Sequence, residues 1–255
     1  MATDIDEPLA PYTHDQPEYA RAFGTFLTHT DEKSKTLEWL TNLVNGLRSH
    51  GLFVDAGAGD GSMTAGLAKL FERTIAIEPN SALRAELARR CPEAEVIGTP
   101  LGDARIASAA DFVLCSHVLY YIPQHDWTDT LERLTSWLGA HGVAVVLLAN
   151  SNADVIALAR DFFGGNIDLS PAVQEFKARH NDFEIAMQTQ NCEVVVDDLE
   201  SACTLTRLFL SDYPDWGRNV TRRRVEDYVR NHFTDPRGYR LSVDQDALSL
   251  RRQVQ

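Results

Sequence analysis

The chain has no long apolar run, few cysteines and little basic charge. Its longest uninterrupted apolar stretch, Val143 to Ala149, is seven residues, where a membrane-crossing helix needs about 20, so no span is predicted. The four cysteines, Cys91, Cys115, Cys192 and Cys203, form no CxxC pair. Such scatter points to reduced packing residues, not to bridges or metal ligands. The histidines other than His117 show no ligand spacing such as HxxxH, and no metal is expected. Twenty-four Lys and Arg against 37 Asp and Glu leave a formal charge of −13. That field repels a phosphate backbone unless the cations are gathered on one face. Only Arg222, Arg223 and Arg224 form a basic run, so nucleic acid is not an expected partner. The opening MATDIDEPLAPYTHDQP carries acids and prolines where a signal peptide needs a basic and then an apolar region, which predicts a cytoplasmic protein.

What is present is an ordinary globular composition, 44% hydrophobic and 24% charged over 255 residues, enough to bury a sizeable core. Residues 1 to 18 read as a loose polar arm. From Tyr19 a helical period sets in: Tyr19, Phe23, Phe26 and Leu27, then after a polar break Leu37, Leu40, Val44 and Leu47. Thr30 and Asp31 are candidate caps for the second helix. From Gly51, short continuous apolar runs (LFVDA, TIAIE, EVIG, FVLCS, VAVVLLA) alternate with helical segments. One segment is opened by Asn80, and another carries Trp127, Leu131, Leu134 and Leu138 up to a stop at Gly139. Continuous apolar strands are what a parallel sheet covered on both faces requires, so a doubly wound α/β fold is predicted. Beyond Asn150 the pattern predicts helices near 154–163, 172–180 and 221–232, a strand-like EVVV, breaks at Pro214, Trp216 and Gly217, and a final edge strand in DALSL. No clean linker is visible, which reads as one domain with appended helices.

The strand LFVDA runs into Asp55-Ala-Gly57-Ala58-Gly59-Asp-Gly61 and then into a helix. A dinucleotide fingerprint GxGxxG needs glycine at position 62, where Ser62 stands. Twenty-one residues after Gly57, at the end of the second strand, comes Glu78, a carboxylate able to accept both hydroxyls of an unphosphorylated ribose. The GxGxG spacing with its preceding acid resembles motif I of the class I S-adenosylmethionine-dependent methyltransferases. That resemblance implies a Rossmann-like, mostly parallel seven-stranded sheet with N-terminal helices and a helical insertion near the C-terminus. It also implies a cofactor site of Asp55, Gly57, Ala58, Gly59, Gly61, Glu78 and Pro79. Thr99, after the third strand, would meet the adenine, and Ser116, ending the fourth, would lie under the cofactor.

Three further segments, YARAFGTFLTHTDE from Tyr19, HVLYY from His117 and the closing ALSL, are similar to the histamine N-methyltransferases. The likeness implies that Glu32 holds the cationic or imidazole end of an acceptor. His117 stands where that family has a glutamine, and a histidine can take a proton near neutrality where glutamine can only orient. Tyr120 and Tyr121 match a tyrosine pair, one of them expected in the core. Asp246 takes the place of an asparagine, Tyr228 that of a pocket aromatic, and Tyr19 and Phe23 fall in the first segment. Glu32, His117 and Asp246 are then the candidate catalytic residues, with Tyr19, Phe23, Tyr120, Tyr121 and Tyr228 binding substrate.

The resulting expectation is methyl transfer from S-adenosylmethionine, leaving S-adenosylhomocysteine, to a nitrogen of a small cationic amine or imidazole-like molecule. Residues 1–48 would form the arm and lid helices, contributing nothing to the sheet's stability. Residues 49–255 would form the core, with inserted helices shaping the acceptor pocket in a monomer or homodimer. An oxygen or natural-product methyltransferase and a non-catalytic adenosylmethionine-binding module are the alternatives.

Overall fold

Leu52–Ala56, an apolar run with no polar face, forms a strand buried along its whole length, and its neighbours follow the same logic. In the computed structural model, which describes residues 8–13, 16–211, 213 and 220–253, the elements come in this order. Helices α1 (Pro17–His29) and α2 (Glu32–Asn45) precede β1 (Leu52–Ala56), α3 (Ser62–Ala68), β2 (Arg73–Ile77), α4 (Ser81–Arg90) and β3 (Glu95–Ile97). Then follow β4 (Ala110–Ser116), α5 (Trp127–Ser136), β5 (Leu138–Ala149), α6 (Asp154–Phe163), α7 (Ser170–Arg179) and β6 (Phe183–Gln190). The chain closes with β7 (Glu193–Val196), α8 (Leu199–Ser211), α9 (Arg222–His232), β8 (Thr234–Asp235), β9 (Gly238–Ser242) and β10 (Gln245–Arg252). Pro214, Trp216 and Gly217 lie outside the described residues.

The chain divides into two interleaved units. One comprises Ser34–Leu148, Leu169–Gln190 and the residues from Asp246 onward. It carries a seven-stranded sheet in the order β3-β2-β1-β4-β5-β10-β6. The pairs β1/β2, β1/β4, β2/β3 and β4/β5 are parallel, so the sheet is mostly parallel and Rossmann-like, as the sequence predicts. Asn80 caps α4 as expected, its side chain accepting from the Ala82 and Leu83 N–H groups. Leu40 and Val44 on α2 are fully buried in one core cluster with Phe53, Leu67, Phe112 and Leu114. This corrects the expectation that the N-terminal helices add nothing to the sheet's stability: the apolar face of α2 is part of its core.

Three smaller corrections concern the strands. The helix before β5 ends at Ser136, and Leu138 already pairs with Ala110, because Gly139 sits in the strand and not at a helix stop. DALSL is no edge: β10 lies between β5 and β6 with Ala247, Leu248 and Leu250 almost wholly buried. The edge is β6, whose FEIAMQTQ is mostly solvent-facing and lacks the apolar continuity by which the other strands were read.

The second unit comprises the segment ending at Lys33 together with Ala149–Asp168 and Asn191–Gln245. It holds the three-stranded sheet β7-β9-β8, so EVVV is strand β7 of this sheet. Ala22 and Phe26 of α1 join Leu205, Leu208, Val225 and Val229 of α8 and α9 in its core. Thr30 accepts from the Glu32 N–H at the start of α2, while Asp31 accepts from the Glu193 N–H. The four cysteines are free, and burial followed by the charge of Asp55 pushes the Cys115 thiol up to about 12.

Candidate functional site

Parallel strands end together, so β1, β2 and β4 deliver their last residues to one edge of the sheet, the usual position of a ligand crevice in open α/β folds. From β1 comes Asp55, buried, its Oδ2 accepting from the Thr64 hydroxyl of α3 at 2.6 Å. Burial pushes its carboxyl up to about 6; the Thr64 hydrogen bond pulls back and the charge of Glu78 adds to the rise.

The turn that follows needs its glycines. Gly57 has φ 93°, and a Cβ there would overlap Val118, so the segment after β4 packs directly on the loop's backbone. Gly59 has φ 55° with nothing within 4 Å of where a Cβ would be; its face is open to close approach by a ligand. The Gly57 and Ala58 N–H groups both donate to Ile77 O, and Gly61 N–H closes the turn on Ala58 O.

β2 delivers Glu78, 6% exposed. Its Oε2 accepts from the Gly59 N–H at 2.9 Å and its Oε1 from the Asn80 N–H at 2.7 Å. A carboxylate offers about four acceptor positions, so two remain for hydroxyls. Pro79 O and Glu78 O both accept from Arg84 Nη1, which fixes the strand end from α4. Thr99 is exposed just after β3, and Ser116 ends β4. Two carboxylates at adjoining strand ends, one of them holding the loop, and an open glycine face fit a small ligand that carries hydroxyls and positive charge.

After Ser116 the chain turns sharply. His117 is, among the described residues, the non-glycine residue with positive φ, 57°, a conformation that costs about 1–3 kcal/mol and clusters at functional sites. Its N–H donates to Leu147 O at 3.0 Å. Its Nδ1 lies 3.2 Å from the Tyr120 hydroxyl, and the two rings stack at 5.9 Å. The core residue of this segment is Leu119; Tyr120 and Tyr121 are 38% and 84% exposed, which corrects the expectation that one tyrosine is core. Asp246 sits in β10, 8% exposed, accepting from the Thr189 hydroxyl at 2.8 Å.

Asp55, Gly57–Gly61, Glu78, Ser116, His117, Tyr120 and Tyr121 thus share the sheet unit, with Asp246 in its β10. Glu32, Tyr19, Phe23 and Tyr228 belong to the other. Tyr19 stacks on Phe23 at 5.9 Å, and Lys33 Nζ lies 5.9 Å from the Phe23 centroid. Glu32 is half-buried in the first turn of α2. Tyr228 donates to Asp161 Oδ2 at 2.9 Å among Phe162, His232 and Phe233. Burial and the neighbouring Asp161 push its phenol well above the usual range. Sequence reading missed Thr64, Arg84 and Val118, which lie off the motif; only Thr64, a hydroxyl on the buried face of α3, left a trace to follow. No group of three or more His, Cys, Asp or Glu among the described residues is placed to hold a metal ion, and no described helix is long and apolar enough to cross a membrane.

A family model described as a methyltransferase domain matches residues 12–195. Among solved structures, YcgJ from Bacillus subtilis is similar at 12% identity and TM-score 0.63, covering 87% of this chain and 100% of its own. The N-methyltransferase NodS from Bradyrhizobium japonicum, in complex with S-adenosylhomocysteine, is similar at 13% identity and TM-score 0.50, covering 94% and 89%. The mycolic acid cyclopropane synthase CmaA1 is similar at 11% identity and TM-score 0.51, covering 81% and 80%. At these identities the likeness is one of fold. No curated protein matches the sequence significantly.

Proposed function

The chain belongs to the methyltransferase-domain family, and from that premise we propose that it methylates a nitrogen of a small cationic amine or imidazole-like acceptor. S-adenosylmethionine as cofactor follows from the family and from the S-adenosylhomocysteine held by NodS. When bound, it supplies a methyl group on a sulfonium already activated for displacement. The chain's own task is to hold an acceptor nitrogen in line and receive its proton, and positioning of that kind reaches effective molarities of about 10⁵ to 10⁸ M.

The observation that carries the reading is His117, held at φ 57° at the end of β4, one residue before the side chain that packs on Gly57. His117 is thus the chain neighbour of the residue that packs on the glycine loop, and its imidazole has Tyr120 close enough to fix its orientation. The exposed Tyr121 ring is available to an acceptor cation, which an aromatic face attracts. Asp246 adds a buried acid in the same unit. The roles of Glu32, Tyr19, Phe23 and Tyr228 in holding the acceptor rest on the resemblance to the histamine N-methyltransferases.

A small acceptor, not nucleic acid, accords with the charge of −13. The basic run is also occupied: Arg222 pairs with Glu226, Arg223 with Asp227, and Arg224 donates to Asp161 O and lies over Phe162. The free thiols suit a reducing cytoplasm.

Release of S-adenosylhomocysteine across a panel of amines, imidazoles, phenols and carboxylates tests the proposal. Turnover with amines or imidazoles is expected. Preference for phenols would move the chemistry to oxygen, and cofactor binding without turnover would leave a binding module.

A further inference from the structure

The amino ends of the parallel strands, opposite the glycine loop, carry a second charged feature. β4 and β5 start together, Ala110 beside Leu138, and His141 sits three residues further into β5. Arg48 comes four residues before β1, and Arg251 and Arg252 close β10. These four side chains line a cavity of about 370 Å³, and among the described residues no acidic side chain lines it. Arg48 Nη1 lies 3.4 Å from His141 Nε2. A guanidinium only donates, so in that contact Nε2 would be the acceptor. Arg252 faces Asp182 at 3.8 Å and the Phe183 ring at 5.2 Å.

In a chain with 37 acids against 24 basic residues, a cavity whose described walls are three arginines and a histidine is against the composition. Guanidiniums sharing one concave surface repel one another unless an anion lies between them. Guanidinium forks match the oxygens of phosphate bidentately, and three of them outweigh what one carboxylate can neutralise. The volume lies near the lower end of small-ligand cavities, roughly 300–1,000 Å³. From this juxtaposition we propose that Arg48, His141, Arg251 and Arg252 form a binding site for a small phosphate-type anion, either inorganic or a phosphomonoester. It lies at the other end of the strands from the glycine loop and stands whether or not the acceptor assignment holds.

Calorimetry and thermal melting of the full chain with pyrophosphate, glycerol phosphate and sodium chloride at matched ionic strength test it, with a single-stranded oligonucleotide as a further arm. Pyrophosphate or the ester should bind at one site per chain and raise Tm beyond the chloride control; whichever binds tighter identifies the source. Arg48→Gln with Arg251→Gln should remove that binding, about tenfold for each guanidinium lost. In chloride alone the same variant should be no less stable than the wild type, since a repulsion has been removed. Stabilisation equal to that by chloride, or affinity unchanged in the double variant, overturns the site. Tighter binding of the oligonucleotide than of pyrophosphate overturns it too, in favour of a nucleic-acid surface. If the double variant does not fold, the wild-type comparison with chloride decides alone.

Discussion

Asp55 is a buried acid whose carboxyl is pushed up to about 6, above an unfolded value of about 3.9. The folded chain therefore holds this proton more tightly than the unfolded chain. The stability it confers is full below about pH 4 and is lost as pH rises through 6, a loss of roughly 3 kcal/mol at about 1.4 kcal/mol per pK unit. Asp55→Asn, neutral throughout, should gain on the wild type in denaturant stability as pH goes from about 4 to about 7; parallel profiles would mean that Asp55 does not titrate there. A cationic ligand draws the proton off, so cofactor affinity should rise with pH across about 6 in the wild type and stay flat in the variant, which calorimetry reads. At His117 strain and chemistry separate. His117→Gly relieves the positive φ and should melt at or above the wild type while losing turnover. His117→Gln keeps a hydrogen-bonding group but no base. Under the proposed role kcat/KM falls by roughly 10² to 10⁴; a near wild-type rate would leave only orientation.

The strands β1, β2, β4 and β5 were legible because a parallel strand buried on both faces must be apolar throughout, and the glycine turn was legible because at Gly57 and Gly61 a positive φ coincides with neighbours that a Cβ would overlap. Elements that hide polar residues were not. α8 buries Thr206 completely by returning its hydroxyl to Ala202 O at 2.8 Å, so its apolar stripe is interrupted in sequence though not in space. β6 is an edge strand with one covered end and gives almost no pattern. The site divides the same way: the acids at strand ends stand inside the motif, whereas Arg84, which grips Glu78 O and Pro79 O, sits a helical turn away with nothing to distinguish it from a solvated arginine. α2 shows a different failure: its apolar face was legible, but its place before the first strand and the likeness around Glu32 read as a lid, while Leu40 is wholly buried in the sheet's core. Leu40→Ala should cost about 2–5 kcal/mol by urea denaturation, against well under 1 kcal/mol for Leu83→Ala on the exposed face of α4. A small loss at Leu40 would restore the detachable reading.

For the whole molecule, the excess of 13 negative charges sets a long-range field that no single contact reports. Many of its cations are already committed, Arg179 to Asp129, Glu132 and Glu175, and Arg237 and Arg240 to Glu193, which leaves the unpaired remainder acidic. Such a surface concentrates small cations near it and repels anions, and the effect fades as the screening length contracts from about 30 Å at 0.01 M salt to about 8 Å at 0.15 M. At saturating cofactor, so that cofactor capture drops out, kcat/KM for a monocationic acceptor should therefore fall by roughly three- to tenfold over that salt range, while an uncharged analogue of the same shape changes little. If Glu32 holds the acceptor as proposed, Glu32→Gln should raise KM for the cation more than it lowers kcat, since such an attraction would act in ground and transition states alike. The salt slope should survive that substitution, because it belongs to the summed field. Equal salt dependence for charged and uncharged acceptors would show that the acidic surface plays no part in capture, and the preference for cations would then have to reside wholly in the residues around His117.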